Sequence, residues 1–273
     1  MGSTFQEWKV DFLFLETSSL NVLETHIRKL KTALAPLHLT FEKEEGEIAI
    51  VKGSSKIKIN IISTEHSSSP EKGVLCLPLD YLVRQPEKVG AIIQSKLGLN
   101  KRAFARNCEV KKLNKEEAKQ FLEAYHLMNS TQSAFNYGLY HKGELLAVAS
   151  FSKGRKMRRL QNDLRSFELI RFCCKKGHTI TGGLSKLLKH FVNEKKAGDI
   201  MTYVDQQWSE GDSFVKAGFK RAEKTEPKTF LIDKKTFERK QVPHDWDASD
   251  SKQFFLLRDC GNLKLIYTPL AKH

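Results

Sequence analysis

The sequence lacks any apolar run near the roughly 18 residues that a membrane-spanning helix needs, so no helical membrane span is expected. Cysteine is sparse and unpatterned. Cys76, Cys108, Cys173, Cys174 and Cys260 are the only five, an odd number with neither a C-x-x-C pair nor the Cys/His spacing of a metal site. This excludes a disulfide-stapled scaffold and a zinc module, implies no metal, and fits a reduced, cytoplasmic chain. The thiols read as small buried hydrophobes, with Cys173 and Cys174 on opposite faces of one strand. The start, Met1-Gly2-Ser3-Thr4-Phe5-Gln6, lacks the basic-then-apolar order of a secretory leader. It also lacks the hydroxyl residue of a myristoylation signal. Internal repeats and low-complexity tracts are absent, which removes solenoid and disordered classes.

What is abundant is positive charge. Lys and Arg number 46 against 32 Asp and Glu, a net charge of +14 with a pI near 9.5. Such an excess favours a polyanionic partner, DNA, RNA or an anionic membrane, and a nucleic-acid or phosphate-bearing partner is expected. Hydrophobic residues make up 40% of the chain, sufficient for a packed core.

Residues 1–100 read as a small α+β accessory unit. A strand around Val10–Phe14 precedes a Ser18-Ser19 cap and a helix carrying Leu20, Leu23, Ile27, Leu30 and Leu34 on one face. Pro36 ends that helix. Two strands, Ile48–Val51 and Ile57–Ile61, flank a turn at Lys52-Gly53-Ser54-Ser55, and a polar loop spans 64–72. A helix over 86–97 leads to a boundary near Gly98-Leu99-Asn100. Residues 101–273 show a different rhythm. Cys108-Glu109-Val110 reads as a short strand. Asn114 with Glu117 forms a capping-box signature, and Ala118, Phe121, Leu122 and Tyr125 share a helical face. A hairpin turns at Lys142-Gly143. Strands then alternate with helices through Phe167–Cys174, Leu184–Val192, Ile200–Val204, a short helix ending at Ala217-Gly218-Phe219, Thr229–Ile232 and Leu263–Tyr267. This order implies a mixed α/β (α+β) sheet with helices on both faces.

The stretch Phe167 to Leu188, FELIRFCCKKGHTITGGLSKLL, is the most informative. A buried-looking strand runs through a loop ending in Thr181-Gly182-Gly183 into a helix. Free backbone N–H groups and the dipole at a helix start attract anions, and glycine permits close approach of a phosphate. Lys186 adds charge in the first turn. A ligand-free loop-to-helix join is the alternative.

This stretch resembles the acetyl-CoA-binding core of the GNAT acyltransferase superfamily. Thr202-Tyr203-Val204-Asp205 resembles the family's splayed partner strand, and Phe214–Phe219 resembles its following helix with a Gly-Phe ending. The usual loop pattern, Arg/Gln-x-x-Gly-x-Gly/Ala, is matched only at Gly182; Thr179 and Leu184 depart from it. Phe214 stands where many members have the Tyr that protonates the leaving thiolate. The runs ELIRFC, TGGLSKLLKHF, YVDQQWSEG and RDCGN are most similar to GNAT-like domains of phage proteins, among them Mom-like DNA-modification proteins and domains that follow nuclease-like domains. The resemblance extends over about Ala103 to Tyr267. It implies direct transfer of an acyl group from acetyl-CoA, or another acyl-CoA, to an amine, with a DNA base as acceptor. Ile170, Arg171, Phe172, Gly182, Gly183, Leu184, Ser185 and Lys186 are the implied cofactor-binding positions. Asp205 is the implied base and Ser209 a proton donor in place of the absent Tyr. Both also read as a strand end and a helix cap. His126, at the end of the first helix, is a second candidate base. Tyr203 is assigned to the opposite side of the strand from Asp205. The basic loop KGRKMRR, with Lys153, Arg155, Lys156, Arg158 and Arg159, is the expected phosphate contact. A small amine or protein acceptor, and a non-catalytic DNA-binding module, are the competing readings. Residues 1–100 show no Asp…Glu-x-Lys nuclease arrangement, although Glu47 and Lys58 sit on adjacent strands.

Overall fold

The computed structural model describes residues 25, 27–32, 34–44, 47–62, 73–158, 160, 164–243, 246 and 253–269. The expected strand at 10–14, the Ser18-Ser19 cap, Leu20, Leu23, the loop 64–72 and Arg159 lie outside the described residues.

Two sheets organise the described chain. A four-stranded sheet runs β1 (Thr40–Glu44), β2 (Glu47–Lys52), β3 (Ser55–Ile62) and β4 (Val74–Pro78). The expected turn closes β2 on β3 with Lys52 opposite Ser55, and Gly53 at φ +56° supplies the left-handed residue. Helix α1, described at 25, 27–32 and 34, buries Ile27, Leu30 and Leu34 against this sheet, as their spacing implies. Pro36 stands in the 3-10 turn Ala35–Leu37 that ends the helix. Helices α2 (Leu79–Arg84) and α3 (Pro86–Lys96) complete the unit. α2 was not foreseen, because only Leu79 and Leu82 of its six residues mark an apolar face.

The larger sheet has seven strands in the order β12-β16-β11-β9-β8-β7-β6. Its members are β6 (Glu109–Lys112), β7 (Phe135–His141), β8 (Glu144–Phe151), β9 (Arg165–Cys174), β11 (Ala197–Asp205), β12 (Lys220–Lys224) and β16 (Asn262–Tyr267). Helices cover both faces. α5 (Gly183–Lys195) packs Leu184, Leu187, Leu188 and Phe191 onto Tyr137, Leu139, Ala147 and Ala149. α4 (Lys115–Tyr125) packs Ala118, Phe121 and Leu122 onto Val148 on the other side. The alternation of β8 residues between these two clusters is the period of two that a strand requires. α4 starts with the foreseen capping box: Glu117 N–H donates to Asn114 Oδ1 and Asn114 N–H donates to a Glu117 carboxylate oxygen. The β7–β8 hairpin turns on Lys142 and Gly143, both at positive φ, the backbone of a type I′ turn.

Three features depart from the expected order. A short strand β10 (His178–Thr181) fills part of the loop before α5 and pairs in parallel with β5 (Lys101–Phe104). The short helix α6 (Asp212–Lys216) begins after Gly211, so Ser209 belongs to a turn rather than a helix cap. A three-stranded sheet, β14 (Arg239–Gln241), β13 (Thr229–Asp233) and β15 (Phe254–Arg258), shares one core with the N-terminal unit. Ile232, Phe237 and Leu257 are buried among Leu75, Leu77, Leu82 and Ile93.

Candidate active site

β9 and β11 run in parallel only where Arg165–Glu168 face Ala197–Met201. Beyond that point they diverge. β9 stays paired with β8 as far as Cys174, and β11 stays paired with β16 as far as Asp205 opposite Asn262. At the apex the Thr202 hydroxyl donates to the Leu169 carbonyl at 2.8 Å. Past it, the β11-facing edge of β9 has no strand partner among the described residues. Backbone donors and acceptors there are available to an extended ligand.

A cavity of about 280 Å³ occupies the divergence. Ile170, Arg171 and Phe172 line one wall, Tyr203, Asp205, Trp208 and Ser209 the other, and His126 with Tyr125 closes an end. Tyr203 and Asp205 therefore share this space, which corrects the opposite-face assignment: residues two apart on a strand lie on one side. Phe214 lines the cavity too, at the family's Tyr position but without a hydroxyl. Ile92 of α3 also reaches it, so the N-terminal unit contributes to the wall.

Asp205 Oδ1 accepts the Gln207 N–H at 2.9 Å, and its backbone carbonyl accepts the Trp208 and Ser209 N–H groups. Burial raises its carboxyl to about 6; the Gln207 N–H opposes the shift, Asp259 adds to it, and Arg239 opposes it. Ser209 Oγ accepts from the Gly211 N–H at 3.1 Å, which leaves its own hydroxyl proton free to donate. His126 differs. Its Nδ1 accepts the Met128 N–H at 3.1 Å, and burial, Arg171 and Lys88 push its pKa down to about 3. It is a neutral imidazole with its proton on Nε2, a donor rather than a base at neutral pH. Arg171 is not turned to solvent: Nε donates to the Asn129 carbonyl and Nη1 to the Ile170 carbonyl. Lys88 of α3 donates to the His126 carbonyl and to Asn129 Oδ1, so two cations hold the 126–129 segment over the cavity. Trp208 Nε1 is buried without a hydrogen-bond partner, a donor that the sequence reading passed over because one Trp in a turn carries no pattern.

The helix start at Gly182–Lys186 lies apart from this lining. Gly182 is exposed at φ +77°, and a side chain there would meet only Ala105 Cβ at 3.6 Å, so the backbone is open to a ligand. Gly183 and Leu184 are packed into the core, where Gly183 fits closely against Ile180 and Leu139. Ser185 is half-buried in the first turn. Lys186 does not extend to a ligand as foreseen: its Nζ donates to the carbonyls of Ala105 and Cys108 and pins the 3-10 turn Ala105–Asn107. Asn100 donates to Thr179 Oγ1 at 3.2 Å, and Lys176 pairs with Glu87, which ties the segment before the helix to the N-terminal unit.

The basic loop occupies the other end of β9. Arg155 bridges Ser166, whereas the cavity begins at Leu169. Lys153, Arg155, Lys156 and Arg158 are exposed, and among the described residues none forms an ion pair.

The residues present fit the thioester end of an acyl-CoA. The unpaired β9 edge suits an extended amide-bearing arm, the partnerless Trp208 N–H suits a carbonyl oxygen, and the open Gly182 backbone suits a phosphate.

No protein-family model matches the chain, and no curated protein matches it. Among solved structures, the ribosomal-protein-S18-alanine N-acetyltransferase from Escherichia coli is 11% identical, with 61% of this chain and 97% of that one covered and a TM-score of 0.37. Arabidopsis thaliana Naa50, in complex with a bisubstrate analogue, is 8% identical, with 60% and 99% covered and a TM-score of 0.38. An acetyl-CoA-bound GNAT family acetyltransferase from Elizabethkingia anophelis is 12% identical, with 60% and 99% covered and a TM-score of 0.33.

Proposed function

We propose that this chain is an acyl-CoA-dependent N-acyltransferase that uses the cavity between β9 and β11. The carrying observation is the divergence of those strands around a space lined by Asp205, Ser209 and Trp208, whose buried ring N–H has no partner. Acetyl-CoA supplies the acyl group as a thioester. The β9 edge and the Trp208 N–H hold and polarise the bound carbonyl. Asp205, with a pKa of about 6, is ionised at neutral pH and takes the proton of the incoming amine. Ser209 Oγ–H donates toward the departing thiolate. No group of the protein is acylated on the way.

We further propose a nucleic-acid amine as acceptor. The support is the net charge of +14 and the exposed Lys153–Arg158 segment. Between Ser166 and Phe172 a strand rises about 20 Å, a distance that a bound duplex spans. A small amine or a protein amine is the second reading, favoured by the enclosure of the cavity by Ile92, Tyr125 and His126.

Titration calorimetry with acetyl-CoA on nucleic-acid-free protein tests the cofactor. Saturable binding is expected, and Gly182→Asp is expected to weaken it at least about tenfold by placing a carboxylate where the diphosphate approaches. No binding to the unmodified chain removes the enzyme reading and leaves a DNA-binding module. Labelled acetyl transfer to DNA, to a polyamine and to a peptide then separates the acceptors. Only the DNA reaction should fall when Lys153, Arg155 and Lys156 are replaced by Ser.

A further inference from the structure

A second cleft, of about 660 Å³, lies beyond Trp208 and Ser209, which line both spaces. Its walls come from β3 and β4, the end of α3, the turn after β11, and β12. Four cations line it, Lys56, Lys96, Arg221 and Lys224, with one carboxylate, Glu210, in the lining; Lys56 also pairs with Glu42 and Arg221 with Asp212, so Lys96 and Lys224 carry the charge left over. They arrive from three separate elements, so neither one helix face nor one surface run explains the cluster. Lys96 is exposed at the end of α3, where the surrounding protein lowers its pKa by desolvation and Glu210 opposes the shift. Arg221 is held in place by Asp212 and the Glu210 carbonyl. Cations from separate elements around one cleft focus a positive potential that attracts an anion.

The remaining lining is apolar or amide. Ile57, Leu75 and Leu263 provide a greasy wall. Gln207, 1% exposed, has both amide atoms buried without a partner, a donor–acceptor pair of the kind that a nucleobase edge satisfies. We propose that this cleft binds a phosphate-bearing ligand with a planar ring, the chemistry of a nucleotide. Its phosphates face Lys96, Arg221 and Lys224, and its ring lies against the apolar wall. The volume is in the range of small-molecule sites. This assignment does not depend on the acyltransferase reading, because its walls are complete without the β9 edge.

The test is titration calorimetry with ADP on the full chain at low salt. Saturable binding is expected, with affinity reduced at least about tenfold in the double variant Lys96→Met, Lys224→Ser. A Lys153→Ser, Lys156→Ser control should leave it unchanged. Inorganic diphosphate should bind at least about tenfold more weakly than ADP. No saturable ADP binding, an unchanged affinity in the double variant, or equal affinity for diphosphate overturns the proposal. Repeating the titration with acetyl-CoA present identifies the source. Competition that is weakened by the same double variant assigns the nucleotide to the cofactor's own end, and additive binding assigns it to a separate ligand. Either outcome supports the site.

Discussion

Asp205 shows how burial converts an ordinary carboxylate into a group suited to proton transfer near neutral pH. Its folded pKa of about 6 lies above the ordinary 3.8, so the folded state binds the proton more tightly than the unfolded chain. Below pH 4 both states are protonated and nothing is lost. As pH rises from 4 to 6 the folded state loses stability, and above 6 the penalty is constant, with a ceiling of about 3 kcal/mol. Asp205→Asn should therefore stabilise the protein above pH 6 by up to that amount and have little effect at pH 4, as read by thermal melts across pH. The same variant should lower acyl transfer by about a hundredfold or more. On the proposed mechanism, kcat/KM of the unmodified protein should fall on the acid side of about pH 6 through this one group, since His126 stays neutral down to about pH 3. Asp205 and Ser209 became candidates through the family resemblance of Thr202–Asp205 and the missing Tyr, since by local pattern they read only as a strand end and a helix cap. The neutral state of His126 was not legible there, since it arises from burial and then from Arg171 and Lys88, all set by segments distant in the chain.

Among elements, the β11 end and the turn before β16 form one support for the site. Asp259 Oδ1 accepts the N–H groups of Lys228 and Gly261, and the Gly261 carbonyl accepts the Gln206 N–H, next to Asp205. Gly261 sits at φ +71°, and a Cβ there would lie 2.4 Å from the Thr225 carbonyl oxygen, a backbone atom that no rotamer change can move. Gly261→Ala should cost more than about 2 kcal/mol in urea unfolding. Elements with strong local patterns, α4 with its capping box and the β7–β8 hairpin, were legible in advance. β10 and β15 were not. β10 is four residues long and exists through pairing with a distant segment, Lys101–Phe104. Phe254–Arg258 shows no alternation because β15 becomes a strand only against Thr229–Asp233.

At the scale of the molecule, Arg239 joins the N-terminal unit to the sheet β14-β13-β15. Its Nε and Nη2 donate to the two Asp80 oxygens at 2.9 and 2.8 Å, and its guanidinium lies over Tyr81 and Phe230. Asp80 is 3% exposed. Asp80→Asn leaves a buried cation without its counter-charge and should cost about 3–5 kcal/mol; adding Arg239→Met should recover part of it, as a double-mutant cycle measures. Tyr81 meets Trp208 edge-to-face at 5.8 Å, so this junction also backs the cavity wall, and acetyl-CoA affinity should fall with stability in Asp80→Asn. By itself the sequence determined the basic surface, the helix faces, the hairpins and the glycine-led helix start, because each depends on charge count or on contacts within a few residues. Tertiary structure alone decided that β9 and β11 part at Glu168, that Lys186 is spent on two carbonyls, that Tyr203 and Trp208 join Asp205, and that α3 closes the cavity. These depend on pairings between segments far apart in the chain, which no local pattern encodes.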